Sequence, residues 1–307
     1  MRDDAPPPPY RGRFAPTPSG PLHFGSLVAA LGSYLDARVR GGAWLLRMED
    51  VDPPRAVPGA ADAILRGLEA FGFEWDGQVM YQSRRGEAYR AILAELDALG
   101  LIYACTCSRR QLADAARRGV DGPVYPGTCR AAGLSHHDHA LRLRVSAGRI
   151  VFEDRLLGRV GCDVAGECGD FPLRRSDGVF TYQLAVVVDD AEQGITHVVR
   201  GADLLTSTPR QIALQRCLGL STPAYLHLPV VLDTRGDKLS KQTLAAPLDV
   251  RAPLPALRAA AAFLGMDCPR EVADPVAFWA WAPAAWGRAR LPLLRGRRPA
   301  GRSPCNS

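Results

Sequence analysis

Residues 10–48 carry the pattern of a βαβ unit, which restricts the chain to a small group of folds. A strand is predicted over residues 10–15, and a helix is predicted from near His23 to the glycine pair that begins at Gly41. Apolar residues in that helix recur mostly at spacings of three and four, as on one helix face: Leu27, Val28, Leu31, Leu35 and Val39. A mostly apolar run, Ala43–Met48, is predicted to be a buried strand. This order predicts an α/β fold with a parallel sheet.

The middle of the chain differs in character from the first hundred residues. Helices are predicted over residues 59–71 and 87–99, each stopped by a glycine. Between residues 105 and 180, glycine, arginine, cysteine and short strand-like segments at 141–145 and 150–154 replace long helices. This change indicates an inserted subdomain.

The sheet is predicted to resume after the insertion. Buried strands are predicted at residues 184–188 and 195–199, followed by a helix at residues 209–218 with Thr208 as its N-cap and Pro209 at its first position. Two short helices are predicted near the C-terminus: residues 256–264 and 276–281.

Composition indicates an ordinary globular protein. The 307 residues are 47% hydrophobic and 23% charged, which suggests about two domains. The longest apolar run, residues 276–282, is shorter than the roughly 20 residues that cross a bilayer, and the N-terminus lacks the apolar stretch of a secretory signal. We therefore expect a cytoplasmic protein that does not contact a membrane. The net charge of +6 is compatible with an anionic partner such as nucleic acid.

Lysine usage sets one short segment apart. Of 38 basic residues only Lys238 and Lys241 are lysines, and both lie in the pentapeptide Lys-Leu-Ser-Lys-Gln at residues 238–242. This indicates a site that needs a compact ammonium group. Neither lysine follows a glycine and the first turn has no G-x-G-x-x-G, so P-loop NTPases and ordinary dinucleotide enzymes are excluded. The sequence also lacks H-E-x-x-H and G-x-S-x-G, which excludes the usual zinc proteases and α/β-hydrolases.

The first strand-to-helix turn is a candidate anion site. Residues 13–26 read Arg-Phe-Ala-Pro-Thr-Pro-Ser-Gly-Pro-Leu-His-Phe-Gly-Ser. The amides of a helix N-terminus attract phosphate, Gly25 allows close approach to the backbone, and His23 can donate a hydrogen bond to a phosphate oxygen. A capping or packing role for His23 is the alternative when that residue is taken alone.

Three cysteines form a candidate metal site. Cys105 and Cys107 are separated by one residue, and Cys129 follows within reach of one loop. Tetrahedral zinc needs a fourth donor, and the spacing alone favours a nearby histidine: His136, His137 or His139. Reduced core thiols without a metal are the alternative interpretation.

Two distant motifs together resemble those of the class I aminoacyl-tRNA synthetases. Residues 21–26 resemble the HIGH signature, and residues 238–242 resemble the KMSKS signature. Residues 13–20, 47–55 and 199–204 resemble segments of the glutamyl branch of this family.

Within that branch, residues 105–107, residues 125–130 and the chain length resemble the members that lack an anticodon-binding domain. The resemblance covers about residues 10–245. It implies a Rossmann-like parallel sheet with an inserted zinc-containing subdomain and a short helical C-terminal region. The implied domains are the two halves of the catalytic domain at residues 1–104 and 181–245, the zinc-binding insertion at 105–180, and a short helical region with an Arg-rich tail at 246–307.

The resemblance implies that the α-carboxylate of L-glutamate attacks the α-phosphorus of ATP, with Mg²⁺ present, to give glutamyl-adenylate and pyrophosphate. An ionised carboxylate needs no general base, which agrees with the lack of a triad-like motif. Cations and a helix N-terminus would stabilise charge on the phosphates. The resemblance gives catalytic roles to His23, Lys238 and Lys241, and ATP contacts to His23, Gly25, Ser26 and Lys241.

The implied glutamate pocket has eight residues: Arg13, Phe14, Ala15, Pro16, Thr17, Glu49, Tyr182 and Arg200. Arg13 would bind the side-chain carboxylate through a bidentate pair, and Glu49 would bind the ammonium. From the residues alone, Glu49 could merely end a strand, Arg200 could be a surface ion-pair partner, and Tyr182 could be a core tyrosine.

For the metal, the resemblance implies one structural Zn²⁺ held by Cys105, Cys107, Tyr125 and Cys129, with a tyrosine in place of the histidine that spacing favours. The phenol must lose its proton to bind as phenolate, which Zn²⁺ favours and neighbouring thiolates oppose. The implied role is to fix the inserted subdomain.

The implied acceptor is the queuosine base in the anticodon of tRNA(Asp) rather than a tRNA 3′ end, because residues 243–307 are too few for an anticodon-recognition module. We expect a monomer whose RNA contacts lie on the basic surface of the insertion and on the Arg-rich tail. Two alternatives stay open. One is a truncated or discriminating glutamyl-tRNA synthetase that charges the 3′ end, and the other is a non-catalytic, zinc-stabilised RNA-binding paralogue.

Overall fold

The computed structural model describes residues 8–115, 117–119, 122–231, 248–289 and 291. Its strands are β1 (Arg11–Phe14), β2 (Ala43–Met48), β3 (Met80–Tyr81), β4 (Ile102–Cys105), β5 (Arg118–Gly119), β6 (Gly122–Pro123), β7 (Ala140–Leu143), β8 (Arg149–Asp154), β9 (Gly158–Asp163), β10 (Pro172–Arg174), β11 (His197–Gly201) and β12 (Ala224–Leu228). Its α-helices are α1 (Phe24–Arg38), α2 (Ala60–Ala70), α3 (Gly86–Ala98), α4 (Arg109–Ala115), α5 (Val164–Glu167), α6 (Tyr182–Glu192), α7 (Thr208–Cys217), α8 (Pro253–Phe263) and α9 (Pro275–Trp286).

The parallel strands form the centre of the molecule. Strands β1, β2 and β3 are parallel neighbours in that order, with Arg11 opposite Ala43. Strands β11 and β12 are also parallel, and β12 pairs with β8 between Tyr225 and Asp154. The backbone N–H of Thr196 donates a hydrogen bond of 3.0 Å to the carbonyl oxygen of Arg11, which links the two groups of strands. The predicted α/β fold with a parallel sheet is confirmed.

Helix α1 packs closely on these strands. Leu27, Leu31 and Leu35 are fully buried, as the predicted apolar face requires. A Cβ on Gly32 would lie 2.6 Å from a methyl carbon of Leu228 at the end of β12, so a larger residue here would force that side chain to shift. The connection from β1 through α1 to β2 sets the N-terminus of α1 beside the carboxyl ends of the strands.

The strand predicted at residues 184–188 is wrong, because these residues lie in α6. All five of their side chains are at most 6% exposed. A short apolar run that is buried on every side fits a strand or a helix equally well, so periodicity cannot separate the two. The helix continues through Asp189 and Asp190, whose charges are paired inside the protein, and Gly194 follows its end with φ of 62°.

The N-cap predicted for α7 is wrong by one residue. Ser207 precedes the helix, and Thr208 is its first residue. Pro209 lies in the first turn, as predicted. The Oγ1 atom of Thr208 accepts a hydrogen bond of 2.8 Å from Nη2 of Arg200 instead of capping the helix.

The remaining elements surround this centre. Strands β10, β7 and β4 form a separate antiparallel sheet, and the β8–β9 hairpin extends the sheet of β11 and β12. Helices α8 and α9 pack into the core that contains α1, with Leu257 and Phe278 fully buried. Of the helices within the described residues, none is both long and apolar enough to traverse a bilayer.

Candidate active site

A cleft of about 800 Å³ opens where the parallel strands end. Its walls are formed by residues at or after the ends of β1, β2, β11 and β12, and by the N-termini of α1 and α6. Ligands of open α/β sheets bind at this edge because the loops that follow the strands converge there. The predicted site residues that line the cleft are Arg13, Phe14, Ala15, Pro16, Thr17, His23, Gly25, Ser26, Glu49, Tyr182 and Arg200.

The two predicted catalytic lysines, Lys238 and Lys241, lie outside the described residues. The described chain reaches the cleft shortly before them, since Pro229, Val230 and Val231 line its wall. The position of the lysines in the site stays a prediction.

His23 is both the N-cap of α1 and a wall of the cleft. Its Nδ1 atom accepts a hydrogen bond of 3.4 Å from the backbone N–H of Ser26. A neutral imidazole whose Nδ1 accepts carries its proton on Nε2, which can then act as a donor. The capping role considered from the sequence is therefore observed, and it leaves the ring with a donor nitrogen.

Arg13 is anchored from behind the cleft by Asp190. Nε of Arg13 donates to Oδ1 of Asp190 at 3.1 Å, and Nη2 of Arg47 donates to the same oxygen at 2.5 Å. Arg13 is 3% exposed and Arg47 is fully buried. Because Asp190 engages Nε, a bidentate contact with a carboxylate can use the two terminal nitrogens of Arg13.

Glu49 directly follows β2 and is half-buried in the cleft wall. Its backbone N–H donates a hydrogen bond of 3.0 Å to the carbonyl oxygen of Pro16, which ties it to the first turn. Burial raises the pKa of Glu49 to about 7, although the positive charges of Arg47 and Arg13 oppose this shift. A cationic group bound beside Glu49 would favour the ionised carboxylate.

Arg200 is 5% exposed, so the structure does not support the alternative of a surface ion-pair partner. Its Nη1 donates to Oη of Tyr182 at 3.1 Å, and its Nη2 donates to Oγ1 of Thr208 and Oε1 of Gln211, both at 2.8 Å. Its Nε donates to Nε2 of His227 at 3.3 Å. Burial raises the pKa of Tyr182 while the charge of Arg200 lowers it. Tyr182 is half-buried at the cleft rather than enclosed in the core.

The three predicted cysteine ligands lie together in the inserted region. The Sγ atoms of Cys105, Cys107 and Cys129 lie within 4.8 Å of one another. Oη of Tyr125 is 3.4 Å from Sγ of Cys105 and 3.7 Å from Sγ of Cys107. Among the residues that the structure describes, no histidine ring belongs to this cluster. Tyr125 is therefore the fourth donor that the geometry favours.

Donor spacing and charge in this cluster suit a tetrahedral metal ion. Sγ of Cys107 lies 3.5 Å from Sγ of Cys129. Zinc–sulfur bonds of about 2.3 Å separate tetrahedral sulfur ligands by roughly 3.8 Å, which is close to this value. Burial would raise the pKa of Cys129, but hydrogen bonds from Tyr125 and from the backbone of Thr106 lower it to about 6. A thiolate is the form that binds a metal.

Residues 10–252 match the family described as tRNA synthetases class I (E and Q), catalytic domain. A glutamyl-Q tRNA(Asp) synthetase of Chromobacterium violaceum is 58% identical over 284 residues, which cover 92% of this chain and 95% of that protein. One from Dechloromonas aromatica is 60% identical over 284 residues, with 91% and 94% covered. The chain belongs to the glutamyl-Q tRNA(Asp) synthetase family.

Solved structures agree on the fold of this family member. The glutamate-tRNA synthetase of Elizabethkingia anophelis superposes with a TM-score of 0.66 at 27% identity. The match covers 76% of this chain and 53% of that protein, so the chain spans about half the length of that synthetase. The methionyl-tRNA synthetase of Mycobacterium tuberculosis, at 16% identity and a TM-score of 0.52, shares the fold alone.

Sequence reasoning missed the polar residues behind the cleft of this glutamyl-Q tRNA(Asp) synthetase family member. Asp190 anchors Arg13, and His227 contacts Arg200. Asp190 comes soon after the apolar residues 184–188, and His227 lies inside the apolar strand β12. A polar group inside a buried segment needs a partner, and that requirement is the signal that could have found them.

Proposed function

We propose that this chain activates L-glutamate with ATP and transfers it to the queuosine base in the anticodon of tRNA(Asp). The observation that carries the proposal is the cleft, in which Arg13, Glu49, Tyr182 and Arg200 lie beside the N-terminus of α1. The names of relatives that are 58% and 60% identical over nearly the whole chain support the same activity.

In the proposed first step, the α-carboxylate of glutamate attacks the α-phosphorus of ATP, the bond to pyrophosphate breaks, and glutamyl-adenylate forms. The attacking carboxylate is ionised at neutral pH, so the site needs no general base. Rate enhancement comes from holding two anions together and from stabilising charge on the phosphates. His23, Gly25 and Ser26 at the N-terminus of α1 would contact ATP and its Mg²⁺ complex. Lys241, with Lys238, would neutralise the departing pyrophosphate.

The charges along the cleft suit the two ends of glutamate. Arg13 presents its terminal nitrogens for the side-chain carboxylate, and Glu49 is the carboxylate suited to the ammonium. Tyr182 and Arg200 complete the pocket, and residues 14–17 line the same cleft. An RNA-binding paralogue would not need such a pair of opposite charges, which disfavours the non-catalytic alternative.

The cysteine cluster is proposed to hold one structural Zn²⁺ through Cys105, Cys107, Tyr125 and Cys129. The spacing of the three sulfur atoms and of the phenol oxygen supports this set. The ion would cross-link the segments that carry its ligands and so order the inserted region. The cluster is separate from the residues that line the cleft, so a structural role fits better than a catalytic one.

The first experiment is ATP–pyrophosphate exchange with purified protein, first with glutamate alone and then with RNA. Exchange that depends on glutamate without RNA is expected, and its absence would overturn the proposed activation step.

To identify the acceptor, tRNA(Asp) charged with labelled glutamate is cleaved and the fragments are separated. Label in the anticodon fragment is expected, whereas label at the 3′ end would support the truncated glutamyl-tRNA synthetase instead. Light scattering would test the predicted monomer.

A further inference from the structure

Behind Arg200 lies a fully buried histidine–aspartate pair outside the predicted site. The side chains of His227 on β12 and Asp154 at the end of β8 both have 0% exposure. Nδ1 of His227 lies 2.7 Å from Oδ2 of Asp154, and the backbone N–H of His227 donates to the same oxygen at 3.0 Å. The other oxygen of Asp154 accepts from the backbone N–H groups of Leu156 and Leu157, at 3.0 and 2.9 Å. The carboxylate is therefore saturated with donors.

These contacts determine the protonation of the imidazole. Because both Asp154 oxygens accept, Nδ1 of His227 must carry the proton that it donates. Nε2 then accepts, and two donors face it: Nε of Arg200 at 3.3 Å and Oγ1 of Thr208 at 3.0 Å. A proton on Nε2 would point at the guanidinium, so the arrangement requires a neutral ring. Burial also lowers the pKa of His227.

Among the described residues, all four side-chain hydrogen bonds of Arg200 are made to neutral groups. They are His227, Tyr182, Thr208 and Gln211. Within the part of the chain that the structure describes, Arg200 therefore forms no ion pair. Arg13, in contrast, forms an ion pair with Asp190. A neutral acceptor fixes the direction of a guanidinium and leaves its charge to act on an anion. Asp154 orients the histidine but does not itself touch Arg200.

We propose that Asp154 and His227 are positioning residues that hold Arg200 toward the cleft and reserve its charge for a carboxylate of the amino acid substrate. This inference rests on the proposed function, because it treats glutamate as the ligand of Arg200. Thr208 belongs to the same unit, since its hydroxyl accepts from Arg200 and can donate to His227.

The test compares three variants in ATP–pyrophosphate exchange with glutamate and ATP varied separately. His227→Phe removes the acceptor for Arg200 and should raise the glutamate KM by about tenfold or more, the scale of one lost hydrogen bond to a charged group, with the ATP KM nearly unchanged. His227→Gln offers an amide oxygen as acceptor and should recover most of that loss. Thr208→Val, which leaves His227 intact, should also raise the glutamate KM.

Tyr10→Phe is the matched control. It deletes a buried hydrogen bond of 2.7 Å to Asp36, at the end of β1 away from the cleft. It should lower the melting temperature and leave the glutamate KM unchanged. If His227→Phe and Thr208→Val likewise lower only stability or the amount of active enzyme, the pair is structural and the inference is wrong. If the wild-type protein itself shows no glutamate-dependent exchange, the proposed function fails instead.

Discussion

Arg13 donates a hydrogen bond of 3.1 Å from Nε to Oδ1 of Asp190, although the two residues lie 177 positions apart in the chain. The same oxygen accepts from Arg47, so one carboxylate serves two buried guanidinium groups. Burial alone would raise the pKa of Asp190, but the charges of Arg13 and Arg47 hold it below its usual value. The position of Arg13 in the cleft therefore depends on a residue of α6.

Replacing Asp190 with Asn should lower the free energy of unfolding by about 3 to 5 kcal/mol, because two buried cations lose their counter-charge. Urea unfolding measures this. Glu192→Gln is the control, since it removes a half-exposed partner of Arg85 from the same helix and should cost less than about 1 kcal/mol. Equal losses in the two variants would contradict the role given to Asp190.

The same pair predicts how stability depends on pH. The folded-state pKa of Asp190 lies below its unfolded value, so the stabilisation is complete above the unfolded pKa of about 3.9 and is lost as pH falls through the folded value. The difference in unfolding free energy between wild type and Asp190→Asn should thus be constant from pH 5 to 7 and shrink below about pH 4. A difference that grows in acid would contradict this sign.

Arg13→Leu should abolish glutamate-dependent pyrophosphate exchange, because the side-chain carboxylate loses its proposed bidentate partner. Arg13→Lys should recover little, since an ammonium cannot bind Asp190 through Nε and present a planar pair of donors at the same time. Initial rates at varied glutamate measure both effects. An unchanged glutamate KM in either variant would exclude this role.

Glu49 should make glutamate binding depend on pH near neutrality. Its pKa is raised to about 7 in the free protein, so the carboxylate that binds the ammonium becomes ionised as pH rises through that value. We expect kcat/KM for glutamate to increase from pH 6 to 8 and then level off. Glu49→Gln should remove this acid limb and raise KM. His23→Asn is the control, because His23 also lines the cleft; loss of the acid limb in that variant alone would assign the limb to His23.

Lys241→Ala should slow adenylate formation by roughly two to three orders of magnitude, the usual scale for losing one electrostatic contact to a developing charge. Rapid-quench measurement of adenylate formation in a single turnover isolates this step from product release. Lys241→Arg, which keeps the charge, should recover part of the rate. Wild-type exchange in Lys241→Ala would contradict the proposed role of the second signature.

The described residues that were predicted for the site line one cleft, but one of the elements that support them was predicted wrongly. Arg13, Glu49 and Arg200 were predicted together from the family resemblance. They meet in one cleft because they lie at or just after the ends of β1, β2 and β11, and parallel strands share a carboxyl edge. The strand predicted at residues 184–188 was wrong because uniform burial erases the alternation that separates strand from helix. Asp190 lies just beyond that predicted strand, and the observed helix α6 brings it to Arg13.

His227 could not be assigned from the sequence for a different reason. Its partner Asp154 lies on β8, within the residues predicted as an insertion, and only the β8–β12 pairing brings the two together. Local spacing carries no information about such a contact.

The three histidines proposed for the metal were favoured by spacing alone, and the fold separates their rings from the three sulfur atoms. In both cases the contacts depend on the fold rather than on nearness in sequence.

Tyr125→Phe tests the proposed zinc set, because it removes the phenol oxygen and keeps the ring that packs against Arg142. Zinc affinity, measured by competition with a chromogenic chelator, should fall by more than about tenfold, since even changes around a ligand set cost that much. Tyr103→Phe is the matched control. The hydroxyl of Tyr103 donates to Asp170 at 2.7 Å instead of contacting the sulfur atoms, so this variant should retain zinc at wild-type affinity. His139→Ala should do the same, since its ring nitrogen Nδ1 bonds to the backbone of Ser135. Protein purified without stoichiometric zinc would refute the metal site, whereas weakened binding in His139→Ala alone would return the fourth ligand to a histidine.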